Sequence, residues 1–194
     1  MTAPADRTAP ADPTGATAVD PAAFRAAMAR HAAGVVVVTT WDAEGRGRGF
    51  TATSFCSVSA DPPLILVCLA ETASSFAAFS RCTEFAVSML HTGHTAVATR
   101  FATSGADKFR DHDTVLTDGL LPAVAGAPYI LDCRVQDRHR AGDHLILVAV
   151  VTAVGDGGTR HTGDHGDGGG ADEGGDSAGP LLYYDRAFRR LQRE

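Results

Sequence analysis

Hydrophobic and polar positions alternate through most of this chain in short stretches bounded by glycine and proline, a pattern of strands and tight turns interrupted by few helices. The first element is helical. Asp20-Pro21 supplies a capping carboxylate and a proline suited to the first helical position, and Phe24, Ala27, Met28 and His31 follow at helical spacing, with Gly34 as the stop. The β-branched run 35–40 predicts a buried strand, with 41–47 as its turn. Residues 49–59 predict the next strand and the apolar run 64–69 the one after it, joined by Asp61-Pro62-Pro63. Both faces of the 49–59 stretch carry small hydroxyl or thiol side chains, a surface suited to hydrogen-bonding something polar and flat.

Residues 74–80 predict a short serine-capped helix with Phe76, Ala77 and Phe79 on its apolar side. A strand over 85–90 and a helix over 95–101 follow, then a loop over 102–128 that contains Lys108-Phe109. Residues 129–137 alternate, with Tyr129, Leu131, Cys133 and Val135 on one face. The turn Ala141-Gly142-Asp143 leads into the long apolar strand 144–154, and 181–184 forms a last strand, with Phe188 and Leu191 anchoring the tail. Seven strands without a βαβ rhythm predict an antiparallel sheet closed on itself, a small barrel with peripheral helices.

Composition sharpens this picture in a few places. A chain of 194 residues fits one domain. Residues 1–19, rich in Ala, Pro, Thr and Asp, read as a disordered tail, which leaves 20–194 as the domain; within it, the Gly- and Asp-rich 155–179 reads as a flexible insert. A net charge of -6 without a basic patch argues against nucleic acid, and no apolar run approaches the ~18 residues of a membrane span. Cys56, Cys68, Cys82 and Cys133 are widely spaced, as expected of reduced packing residues in a cytoplasmic protein. His91 and His94 lack the neighbouring ligands of a metal site, and His161 and His165 lie in the solvated insert. The glycines at 45, 47 and 49 open a strand, so they are hairpin chemistry and not a dinucleotide fingerprint.

Taken in order, the helix from Phe24 to His31, the run 34–40, the segment 49–59 with Asp61-Pro62-Pro63, Phe101 with Lys108-Phe109, Gly142-Asp143-His144, and 180–184 resemble the short-chain flavin reductases, the reductase components of two-component flavin-dependent monooxygenases. The resemblance covers 20–154 and 180–192. It implies a split antiparallel β-barrel of the FMN-binding type and a homodimer with flavin near the subunit interface. The implied activity is NAD(P)H-dependent reduction of free FAD or FMN, with the reduced flavin passing to a partner monooxygenase, here placed in natural-product biosynthesis. Ile146 fits the family pattern, Ala149 stands where a glycine is usual, and the insert is longer than the family's.

A flavin presents a planar ring with a hydrogen-bonding edge and an anionic phosphate. Thr51, Ala52, Thr53, Ser54 and Cys56 are expected at the ring and Thr72, Ser74 and Ser75 at the ribityl phosphate, with Phe55, Ser57, Ala70 and Phe109 also among the flavin-binding residues; Lys108 is either the phosphate's cation or an ordinary solvated lysine. Gly142 and Asp143 present His144 to the nicotinamide, and Tyr184 completes the set. FAD is expected ahead of FMN. NADH is expected ahead of NADPH, because Arg138 and Arg140 are the only basic residues near His144. Two other readings are a flavoprotein oxidase acting on its own substrate and a non-catalytic flavin-binding protein; the Gly142-Asp143-His144 turn ranks them lower, since it has a natural role only where a nicotinamide visits.

Overall fold

The computed structural model describes residues 19–109, 113–157 and 179–191, so residues 1–18 of the expected tail and 158–178 of the expected insert lie outside the described residues. The chain begins with helix α1 (Pro21–Ala29), where Asp20 accepts hydrogen bonds from the amides of Ala22 and Ala23. The short strand β1 (Ala33–Gly34) and strands β2 (Val36–Trp41), β3 (Gly47–Ala52), β4 (Cys56–Ala60) and β5 (Pro63–Ala70) follow. After the single-turn helix α2 (Phe76–Phe79) come β6 (Glu84–Met89), a 3-10 turn (Thr92–His94) and helix α3 (Thr95–Ala102). The remaining strands are β7 (Thr114–Leu116), β8 (Pro122–Val124), β9 (Tyr129–Ala141), β10 (His144–Gly155), β11 (Leu182–Tyr184) and β12 (Ala187–Arg189).

Seven of these strands form one antiparallel sheet in the order β3-β2-β6-β9-β10-β5-β4, while β1, β11 and β12 form a small second sheet and β7 pairs with β8. The large sheet rolls up so that alternate residues of its strands meet inside it: Val36 and Val38, Phe50, Val67 and Leu69, Phe85 and Val87, Leu131, Leu145 and Leu147. Phe79 of α2 plugs this interior with no exposed surface, edge-on to Phe50 at 4.9 Å and to Phe85 at 6.3 Å. The outer faces of β2 and β6 are covered in turn by a second core of Val35, Val37, Val97, Ala98, Phe101, Val124 and Leu181. Burial on both faces explains the unbroken valine run of β2.

Several expectations are corrected. Residues 49–59 are not one strand: β3 ends at Ala52 and β4 begins at Cys56, at opposite edges of the sheet. Residues 53–55 cross the seam between them, because a rolled sheet needs its two edge strands to pair with different neighbours, β2 for one and β5 for the other. Helix α1 ends before Gly34, which pairs with Leu182, and its apolar side is not buried within the chain: Phe24 and Met28 are exposed. The loop 102–128 contains the β7–β8 hairpin, held by the Val124 amide, which donates to Ser88 Oγ at 3.0 Å, and by the Thr39 hydroxyl, which donates to the Pro122 carbonyl. The first insert residues are ordered, since Gly157 exchanges hydrogen bonds with Gly126 and Ala127. At the end of the chain Phe188 packs on Tyr183 while Leu191 is exposed.

The four cysteines are free thiols, with Cys133 buried and Cys56 exposed on β4, so Cys56 is not a packing residue. Burial raises the Cys133 thiol to about 12. Ala149 lies at a register shift in β10 with its methyl in the barrel core. Among the described residues no helix is long and apolar enough to cross a membrane.

Removing the plug should be costly. Phe79→Ala is expected to lower the free energy of unfolding by ~3–5 kcal/mol, measured by urea denaturation; a loss below ~1 kcal/mol would show that the barrel closes without it.

Candidate functional site

The seam opens into a cleft of about 470 Å³. One wall comes from the end of β3 and the crossing segment, with Thr51, Ala52, Thr53 and Ser54; the opposite wall comes from the end of β5 and its loop, with Ala70, Thr72 and Ser74. His144 borders it because β10 pairs with β5 in a register that sets His144 opposite Ala70. Phe101 and Ala102 of α3, with Ser104 and Lys108, complete the lining.

The hydroxyls here have different duties. Ser54 Oγ accepts from the Cys68 amide at 3.0 Å and donates to the Cys68 carbonyl at 3.1 Å, so the side chain stands in for a backbone partner across the seam. Thr51 Oγ1 donates to the Ala98 carbonyl at 2.6 Å and ties β3 to α3. Thr53 is exposed at the cleft wall.

Lys108 is a built part of the wall and not a solvated side chain. Its Nζ donates to the Gly49 carbonyl at 2.8 Å, and burial lowers its pKa from the ordinary lysine value. Beside it a smaller cleft of about 250 Å³ is bordered by Gly47, Arg48, Gly49, Ser74, Ser75, Lys108 and Phe109. Ser75 is buried there and its Oγ has no hydrogen-bond partner among the described residues, although buried hydroxyls are normally paired. The expected serine cap is absent, because α2 is four residues long and Ser75 makes no side-chain capping bond. A buried orphan hydroxyl next to a half-buried lysine fits the oxygens of a bound phosphate.

Glycine makes room for this wall at two positions. A Cβ on Gly49 would lie 2.7 Å from Phe101 Cε1 and 2.8 Å from the Val38 carbonyl, and one on Gly47 would lie 2.9 Å from the Phe109 ring. Phe101 and Phe109 themselves stack edge to face at 5.2 Å. The strand is therefore glycine-spaced so that this aromatic pair, carrying Lys108 with it, can press against β3.

At the other end, Gly142 turns the chain with φ +61 and the Asp143 carbonyl accepts from the Glu71 amide at 2.9 Å. His144 Nδ1 lies 2.7 Å from Asp143 Oδ1. This hydrogen bond lowers the Asp143 pKa and leaves Nε2 as the ring's second polar atom. Arg138 donates to the carbonyls of Phe79 and Cys82, and Arg140 pairs with Glu71 at 3.4 Å.

Not every residue expected at the site is brought to it. Phe55 packs on the barrel core, and Cys56 and Ser57 are exposed on the edge strand β4, outside the cleft. They belong to β4, the edge of the sheet opposite β3, where Cys56, Ser57 and Val58 are all exposed. The Tyr184 hydroxyl accepts from Arg30 Nη1 at 3.5 Å in the second sheet, away from the cleft lining. Phe109 and Ser75 border the smaller cleft only, and Gly142 and Asp143 stand behind His144. Phe101, Ala102 and Ser104 were not anticipated as lining residues; the helical spacing of 95–101 predicts a buried face but not which cleft it borders. His91 and His94 stack at 3.8 Å and close a turn, His91 Nδ1 accepting from the Gly93 amide and His94 Nε2 meeting the Ala125 carbonyl. Burial lowers the His94 pKa, and no metal cluster occurs among the described residues.

Residues 28–192 match the family described as flavin reductase like domain. The chain is 44% identical over 174 residues to the actinorhodin polyketide dimerase of Streptomyces coelicolor, covering 90% of this chain and 88% of that protein. It is 41% identical over 179 residues to the NADH:riboflavin 5'-phosphate oxidoreductase of Streptomyces pristinaespiralis, covering 92% of each. The solved structure of the NADH:FAD oxidoreductase of Streptomyces globisporus in complex with NAD and FAD fragments is similar at a TM-score of 0.74 and 30% identity, covering 91% of this chain and 98% of that one. Barrel, seam and sequence agree, and the chain belongs to the flavin reductase-like domain family.

Proposed function

We propose that this protein is an NADH-dependent flavin reductase that reduces diffusible FAD or FMN and hands the reduced flavin to a separate monooxygenase. The observation that carries this reading is the seam cleft, lined by small side chains, His144 and Lys108, with the orphan Ser75 hydroxyl in the smaller cleft that shares Lys108. Flavin and nicotinamide are both substrates, and a hydride passes from one ring to the other. The protein contributes position, and the residues divide that task. Thr51, Ala52, Thr53 and Ser54 give a flat wall for the ring; Thr72, Ser74, Ser75 and Lys108 receive the ribityl phosphate; His144, oriented by Asp143, holds the nicotinamide amide.

NADH is favoured over NADPH because the basic residues near His144 are few: Arg138 is held by the Phe79 and Cys82 carbonyls and Arg140 pairs with Glu71. The exposed Phe24 and Met28 of α1 and Val58 of β4 give the molecule apolar surface that a second copy would cover, in keeping with a homodimer. Four free thiols suit the reducing cytoplasm. The similarity to a polyketide dimerase supports a partner oxygenase in natural-product biosynthesis.

The direct test is anaerobic mixing of the protein with NADH and either flavin. Bleaching of the flavin band at a rate that rises with added free flavin is expected. NADH oxidation indifferent to added flavin would instead identify an oxidase of its own substrate, and flavin binding without NADH turnover a carrier. The division of roles is tested separately: His144→Ala should raise the apparent KM for NADH about tenfold, the effect of ~1.4 kcal/mol, and leave that for flavin nearly unchanged. Equal changes for both substrates would remove His144 from the nicotinamide.

A further inference from the structure

Three clefts on the barrel share lining residues. Ser74 borders all of them; Lys108 is shared by the seam cleft and the smaller one, and Arg48 by the smaller one and a third of about 540 Å³. If the flavin ring lies on Thr51 to Ser54 and its phosphate at Lys108 and Ser75, FMN ends at the mouth of this third cleft. A flavin dinucleotide continues into it. We propose that the third cleft holds the adenosine monophosphate half of FAD and that Arg81, with Trp41, makes this reductase prefer FAD to FMN; the inference rests on the flavin-reductase reading.

The side chains suit that half-molecule. Trp41 is 39% exposed at the end of β2, and its indole Nε1 donates to the Leu120 carbonyl at 2.8 Å, which pins the ring while leaving part of it open to stack on a planar base. Arg46 and Arg48 are paired with Asp42 at 3.1 and 2.9 Å, and Arg46 also with Glu44 at 2.7 Å, so the acids of the hairpin are balanced by its own arginines. Arg81 is exposed just beyond α2 and no ion pair engages it among the described residues, which leaves its guanidinium for the second phosphate. Glu84 lies in the same cleft and offers an acceptor to the exocyclic amine of adenine. NADH also carries an adenosine half, but its nicotinamide is bound from the His144 end, and the third cleft lies beyond Lys108, on the flavin's phosphate side.

Calorimetric titration of the full chain with oxidised FAD and FMN, without nicotinamide nucleotide, tests this. The wild type should bind FAD about tenfold or more tightly than FMN. Arg81→Glu should bring the two dissociation constants to within about twofold by weakening FAD alone, and Trp41→Phe should retain most of the preference that Trp41→Ala loses. Equal affinities in the wild type, parallel weakening of both flavins by Arg81→Glu, or an effect of Arg81→Glu confined to the KM for NADH would each overturn the proposal. Equal affinities with intact NADH-driven bleaching would sink the adenosine site alone, whereas absence of both flavin binding and bleaching would sink the flavin-reductase reading with it.

Discussion

The structure depends on how its rolled sheet closes. Seven strands leave two edges, β3 and β4, and unpaired edges are normally a liability. Here the same stretch of chain supplies both, and residues 53–55 step across the gap. Ser54 is the fastening: its hydroxyl takes the Cys68 amide and gives to the Cys68 carbonyl, replacing a rung of ladder where the strands diverge. Inside, Phe79 fills the space the strands enclose. The barrel is held shut at its core and left ajar at its rim, and the opening is the cleft.

Everything placed around that opening follows from closure. β5 runs back toward the seam and ends there at Ala70, and its register with β10 puts His144 at the same rim although the two residues are far apart in sequence. On the other side, Gly47 and Gly49 let Phe101 and Phe109 approach β3, and Lys108, next to Phe109 in the chain, bonds to the Gly49 carbonyl. The lysine and His144 thus line one cleft. Hydride transfer between two flat rings asks for alignment and exclusion of water more than for an acid or base, and a rigid rim supplies alignment.

Much of this was legible in the sequence, for physical reasons that also mark where legibility stops. The valines of β2 announce a strand because both of its faces are buried, and Gly142-Asp143-His144 announces a turn because Gly142 takes a left-handed φ. Resemblance to the flavin reductases added the family, the activity and the split barrel. The division of 49–59 into β3 and β4 was not legible: Thr53-Ser54-Phe55 contain no glycine or proline and keep the strand alternation, so only the pairing of distant strands reveals the break. That is why Cys56 and Ser57 looked like site residues and are not in the cleft. The roles of Gly47 and Gly49 were hidden for the same reason, since the rings they accommodate come from α3 and the loop after it. Helix α1 shows the converse, a correct local pattern whose apolar side finds no cover within the chain.

The central claim is that the seam between β3 and β5, fastened by Ser54, is where the two substrates meet. A crystal structure of the protein with oxidised flavin and NAD bound tests it most directly. The account predicts the flavin ring against Thr51 to Ser54, its phosphate within hydrogen-bonding reach of Lys108 Nζ and Ser75 Oγ, and the nicotinamide beside His144. A flavin ring bound elsewhere on the barrel, with the seam cleft holding only solvent, would contradict it.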